Sequence, residues 1–226
     1  MTRRVLDVDA VEEWGPIYEP FFGALAPPDL WAHLLNPEEF GSAEGRIRAL
    51  ARTMAPPRRW KYHWLRNEGL AFLKANFTHL ALYHACRITD QESYLRHGLL
   101  ASDISVLDRE AERLFGASEA LNQAIAGLRR SGYRAHNHGG VYFFYARSGA
   151  IYGGDHYLSH GSEYLGNLAG ALGDRELAIL AARGRPALVR CEVELRDIEA
   201  RHLRYAGTLP LQHRLTVREW PTPAGL

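Results

Sequence analysis

The chain has 226 residues, of which 46% are hydrophobic, 23% charged and 11% aromatic, and its net charge is +1. This composition excludes disordered, collagen-like and coiled-coil proteins. The balance of 27 basic against 26 acidic residues argues against a dedicated nucleic-acid binder, whose phosphate affinity needs a basic surplus. The length suits one large domain or two small ones, and no apolar run approaches the roughly 20 residues of a membrane helix. Behind Arg3 and Arg4 there is no apolar stretch of the kind a secretory signal carries. The expectation is a cytoplasmic protein with no membrane partner. Cys86 and Cys191 are too few for a disulfide framework and fit a reducing compartment. Apart from Lys61 and Lys74 every basic residue is arginine, which suits bidentate phosphate binding but follows first from GC-rich codon usage.

The first 77 residues read as a helical region packed on the core, with no flexible linker behind it. Asp29 caps a short helix carrying Leu30, His33 and Leu34. Asn36-Pro37-Glu38-Glu39 then supplies an N-cap, a proline at the first helical position and first-turn acids for a helix to about Thr53. Trp14, Tyr18, Phe21, Phe22, Trp31, Trp60, Tyr62 and Trp64 predict a packed aromatic core in preference to a base-stacking platform, because no basic surplus accompanies them.

From Thr78 the pattern changes. His79–Arg87 reads as a buried strand, followed by a helix capped at Thr89-Asp90-Gln91-Glu92 and ended by Gly98. Helices are predicted over Ser105–Phe115 and Ser118–Arg130, the second closed by Gly132. Gly139-Gly140 introduces a strand, Val141–Tyr145. Helical spacing returns between Asp155 and Arg183, broken at Gly173-Asp174. Pro186–Leu195 and His213–Trp220 read as the last two strands. The predicted class is α+β: a helical N-terminal region, 1–77, and a domain over 78–226 with a split mixed or antiparallel sheet and inserted helices.

The order of these pieces carries more information than any one of them. A strand with Tyr83-His84-Ala85-Cys86-Arg87 precedes a capped helix ending in Gly98-Leu99. Gly140-Val141-Tyr142-Phe143, a tyrosine-bearing turn and Cys191-Glu192-Val193-Glu194-Leu195 follow. The succession resembles the ADP-ribosyltransferase superfamily, in its diphtheria-toxin and poly(ADP-ribose) polymerase branch, over roughly residues 80–220. The resemblance implies an NAD-dependent mono-ADP-ribosyltransferase that passes ADP-ribose to a macromolecular acceptor and releases nicotinamide. A bacterial toxin or defence effector is one such role.

On the same resemblance, His84 orients the adenine-side ribose and the Ala85 backbone holds the nicotinamide amide. Cys86 stands where the family has Ser or Thr, Arg87 faces phosphate, and Tyr142 lines the nicotinamide slot. The second, stacking tyrosine is Tyr152 or Tyr157, with Tyr152 nearer the family spacing. The family's late-strand catalytic Glu has no direct counterpart, since Arg214 stands in its place. Gln212, which can orient a hydroxyl, and Glu219, which fits after a register shift, are the candidates.

This departure makes a second reading necessary, in which the chain is a catalytically weak or inactive NAD-binding sensor or interaction module. A partner or inhibitor protein on the N-terminal helices is a further expectation. Three rivals rank lower: a metal site from His136, His138, Asp155, His156 and His160; an RNA or DNA contact through Arg129-Arg130-Ser131-Gly132-Tyr133-Arg134; and phosphoryl chemistry on RNA ends. A Cys86–His84 nucleophile pair is excluded by spacing, since side chains two apart on a strand stand about 7 Å from each other.

Overall fold

The computed structural model describes residues 3–26, 28–34, 42–54, 61–101, 103–131 and 140–216. Its elements in chain order begin with β1 (Val5–Leu6), α1 (Val11–Leu25), α2 (Pro28–Leu34), α3 (Ala43–Met54) and α4 (Lys61–Asn76). There follow β2 (His79–Ile88), α5 (Gln91–His97), α6 (Ile104–Phe115), α7 (Glu119–Arg130) and a π-helical turn, Gly149–Gly153. The last are α8 (Asp155–His160), α9 (Glu163–Leu172), α10 (Asp174–Ala182), β3 (Arg185–Glu194), α11 (Ala200–Ala206) and α12 (Leu209–Thr216). The class is α+β, with a small mixed sheet of order β1-β2-β3. Val5 pairs with His79 and Leu6 with Leu80 in parallel. No helix among the described residues is long and apolar enough to cross a membrane.

Two compact units divide the chain, and their boundary differs from the expected 1–77 and 78–226. Met1–Leu82 joins Glu192–Leu226 in the first unit, and Tyr83–Cys191 forms the second. The physical reason lies in the C-terminal helices: α11 packs on α4 and α12 on α3. The expected strand at His213–Trp220 is therefore corrected over its described part. His213–Thr216 is the last turn of α12. Leu211 and Leu215, four residues apart, share a buried helical face, and the buried guanidinium of Arg46 donates to the Leu215 carbonyl at the helix end. Val217-Arg218-Glu219-Trp220 lies outside the described residues, as do the cap at Asn36-Pro37-Glu38-Glu39, Trp60, and Gly132 to Gly139.

The second unit follows the caps closely. Asp90, one residue beyond the expected Thr89, caps α5 by accepting from the Glu92 and Ser93 amides, and Gly98 ends that helix at φ 69°. Asp103 caps α6 and Ser118 caps α7. The expected strand over Val141–Tyr145 reduces to a single bridge. Phe144 exchanges both backbone hydrogen bonds with Tyr83, each 2.8 Å, and the chain then turns into the π-helical segment. The core of this unit is Ile104, Leu121, Ile125, Leu168, Leu180 and their neighbours, contributed by α6, α7, α9 and α10.

In the first unit the aromatic core forms on α1, where Trp14, Tyr18, Phe22 and Leu25 make one buried stripe at helical spacing. Tyr18 lies edge-on to Trp14 at 5.6 Å, tilted against Phe72 at 4.7 Å and stacked on Phe77 at 5.9 Å. Trp31 donates to the Phe22 carbonyl. These rings fill space against one another, so the packed-core reading holds for Trp14, Tyr18, Phe21, Phe22 and Trp31.

A backbone-to-backbone contact fixes how α4 meets α11. A Cβ on Gly69 would overlap the Gly207 carbonyl, and a Cβ on Gly207 would come within 2.6 Å of the Gly69 carbonyl carbon. Gly69→Ala is therefore expected to destabilise the fold by about 1–3 kcal/mol. Gly23→Ala, an exposed position inside α1 with nothing near the added carbon, should raise stability by roughly 0.5–1 kcal/mol. Urea denaturation of the two variants checks the opposite signs.

Candidate functional site

Alternation along β2 sorts its side chains into two sets. Tyr83 and Ala85 pack with Ala150, backed by Phe144, Tyr157 and Leu158. His84 and Cys86 turn instead to a cavity of about 470 Å³ within the second unit, lined also by Tyr94, Glu110, Tyr142 and Glu163. Ala85 does not line that cavity; its methyl group is spent on packing.

His84 is anchored through its ring. Its Nδ1 lies 2.9 Å from the Tyr142 carbonyl. A carbonyl only accepts, so Nδ1 carries the proton and Nε2 is the acceptor nitrogen of the neutral ring. This bond also bears on the loss of the expected strand. Continued past Tyr83–Phe144, an antiparallel ladder would offer the Tyr142 carbonyl to the Ala85 amide; in the structure that carbonyl accepts from the imidazole. Phe143 stands edge-on to the same ring at 6.0 Å.

Arg87 is corrected from phosphate partner to structural clamp. Its Nε donates to the Arg183 carbonyl at 2.8 Å and its Nη1 to Leu158 at 2.7 Å. Nη2 is shared between Ala181 at 2.7 Å and Gly184 at 2.9 Å. One guanidinium thus satisfies carbonyls at the end of α8, at the end of α10 and in the turn before β3. Gly161, at φ +85°, lets the chain after α8 pass the Arg87 side chain, whose Cβ stands 3.4 Å from where a Gly161 Cβ would be.

Of the two candidate stacking tyrosines, the cavity wall includes Tyr157 and not Tyr152. Tyr152 sits on the π-helical turn and is 84% exposed. Tyr157 is half-buried, edge-on to Phe144 at 6.3 Å, and its hydroxyl donates to Glu163 Oε2 at 3.0 Å. Tyr142 lines the cavity and is 47% exposed. Gln212 belongs to α12 in the first unit, where its amide donates to Thr208 Oγ1 at 3.3 Å. Glu219 lies outside the described residues.

The wall also includes residues that the sequence reading did not single out, among them Tyr94, Glu110 and Glu163. Each reads locally as an ordinary helical surface residue. Burial pushes the Tyr94 phenol up to about 12, with the neighbouring Cys86 adding to the rise and Arg183 opposing it. Burial likewise pushes the Cys86 thiol up, against the lowering effect of its hydrogen bond with Tyr94. Glu110 is held below the usual carboxylate range, first by Arg113, which grips it with two bonds of 2.8 Å, and then by Arg183 at 2.5 Å, against the opposing effect of burial. The wall therefore presents a neutral thiol and phenol beside an ionised, fully paired carboxylate.

Among the described residues no group of three His, Cys, Asp or Glu side chains is placed to hold a metal ion. His136 and His138 lie outside them. Arg129, from the basic segment weighed for nucleic-acid contact, forms an ion pair with Asp108 at 2.6 Å, and Asp108 also accepts from the Tyr164 hydroxyl at 2.5 Å. Tyr133 and Arg134 lie outside the described residues. No protein-family model, curated protein or solved structure matches the chain.

Replacing Arg87 by alanine removes the donors of four carbonyls, two of them at partly buried contacts, and the expected loss of stability is on the order of 3 kcal/mol. Lysine is expected to rescue little of it, because an ammonium lacks the planar fork. Urea denaturation reads both. Cys86 and Tyr94 share one sign of pH dependence. Each is an acid whose folded-state value is raised, so the stability each contributes is complete below its unfolded value. That contribution falls as pH rises from the ordinary thiol range near 9 towards about 12. Urea midpoints taken between pH 8 and 11 should decline, and Tyr94→Phe with Cys86→Ala should flatten the decline.

Proposed function

We propose that the second unit is an NAD-binding unit that transfers ADP-ribose to a macromolecular acceptor and releases nicotinamide. The observation that carries this reading is the convergence of His84, Tyr142 and Tyr157 on one cavity. They come from β2, from the bridge segment and from α8, and the resemblance to the ADP-ribosyltransferases expects a histidine and two tyrosines to meet in this way.

The chemistry each can supply follows from its setting. The acceptor Nε2 of His84 suits a ribose hydroxyl, because the Nδ1 proton is already committed to the Tyr142 carbonyl. The half-exposed Tyr142 ring suits a flat, electron-poor nicotinamide, whose face is attracted to the π-face of a phenol, and the Tyr157 ring, against which His156 lies at 4.0 Å, borders the same space. Both arginines of the described wall, Arg87 and Arg183, are engaged by carbonyls and by Glu110. Four N–H groups of Arg87 and Nη1 of Arg183 are thus already committed.

A specific observation favours binding without turnover as the second reading. The expected late strand is helical over His213–Thr216, so the described residues hold no strand there to carry the late glutamate that the resemblance expects. Proton NMR of NAD with the full chain and a host lysate as acceptor separates the two readings. Turnover appears as free nicotinamide, and binding alone as line broadening. The transferase reading expects nicotinamide release that His84→Ala lowers at least about a hundredfold with the fold intact by circular dichroism. Broadening without release supports the sensor, and absence of both overturns NAD as the ligand.

A further inference from the structure

We propose that Glu163 is the catalytic carboxylate of this cavity, in place of the late-strand glutamate that the chain lacks at Arg214. The inference rests on the NAD reading above and names the group that would make it an active transferase.

Two glutamates line the cavity among the described residues, Glu110 and Glu163. They are not equivalent. Glu110 is neutralised by Arg113 and Arg183, and both of its oxygens carry guanidinium bonds. A carboxylate in that state adds little negative potential to the space beside it. Glu163 carries no such counter-ion among the described residues. Its Oε2 accepts the Tyr157 hydroxyl at 3.0 Å, which leaves Oε1 for a ligand. It is half-buried at the start of α9, directly after Ser162, whose hydroxyl accepts from the Leu165 amide and fixes the helix start. Its carboxylate is thus oriented by a phenol from α8, at a helix start fixed by that helix's own cap.

The Tyr157 bond ties the two halves of the reaction together. The ring that would stack on nicotinamide belongs to the same side chain that aims the carboxylate, so the leaving ring and the negative charge fall next to each other. In the step proposed, the ribose C1′–nicotinamide N bond breaks and its electron pair leaves with nicotinamide, which departs neutral. Positive charge develops on C1′ and the ring oxygen, where the Glu163 carboxylate stabilises it. The acceptor, a hydroxyl, amine or carboxyl nucleophile or water, forms the new bond to C1′. The proton it loses goes to Glu163 and then to solvent. Tyr157 is a positioning residue through its hydroxyl and a binding residue through its ring.

The test uses the full chain, with NAD affinity by calorimetry and nicotinamide release by proton NMR across pH. Glu163→Gln preserves the acceptor oxygen for Tyr157, so the fold is expected to persist. It should bind NAD within about threefold of wild type yet lose roughly a thousandfold in kcat. The acid limb of the wild-type kcat profile should vanish with it, a change that a purely structural role would not produce. Tyr157→Phe should retain that limb while lowering kcat by about tenfold. Turnover by Glu163→Gln within about tenfold of wild type, or a comparable loss only in Glu110→Gln, overturns the assignment and leaves the NAD reading standing. NAD binding by wild type without nicotinamide release also overturns it, in favour of the sensor. Absence of NAD binding overturns both.

Discussion

The four carbonyls gathered by the Arg87 guanidinium set the geometry on which the second unit depends. Carbonyls at a helix end lack partners within the helix, and leaving them buried and unpaired is costly. A single cation from β2 serves two such ends and the turn before β3. Because a guanidinium is flat and rigid, the carbonyls it holds are fixed in one plane relative to one another. The ends of α8 and α10 are thereby held to the strand that bears His84 and Cys86, and the cavity between those elements has a defined width.

The same constraint explains the electrostatic character of the wall. With Arg87 facing carbonyls and Arg183 facing Glu110, positive charge is consumed within the framework. Cys86 and Tyr94 share a hydrogen bond and are both held in their protonated forms by burial. Such a surface is a poor nucleophile and a poor phosphate clamp.

Much of the second unit was legible locally, because its helices carry their own start and stop signals. Ser118 and Gly173 lie where the sequence places them as cap and break, and Asp90 differs from the expected Thr89 by one residue, since either short polar side chain can cap. The failures share a cause. His213–Thr216 alternates like a strand, yet Leu211 and Leu215 bury a helical face against α3, a contact between residues more than 150 positions apart. Val141–Tyr145 has strand composition but pairs with β2 only at Phe144. Arg87 looked available because its partners lie some 70 to 100 positions downstream. Glu163 looked like an ordinary first-turn acid, and only the path of the chain past Gly161 brings Tyr157 back onto it.

The first unit is assembled from both ends of the chain, with the second inserted between Leu82 and Glu192. On the ribosome this imposes an order. Residues 83–191 emerge complete and can close their own core, while α3 and α4 must wait with apolar faces bare until α11 and α12 leave the exit tunnel. The inserted unit can therefore gain its cavity before the unit that carries it is finished, and the aromatic stripe on α1 belongs to the last part of the protein to be sealed.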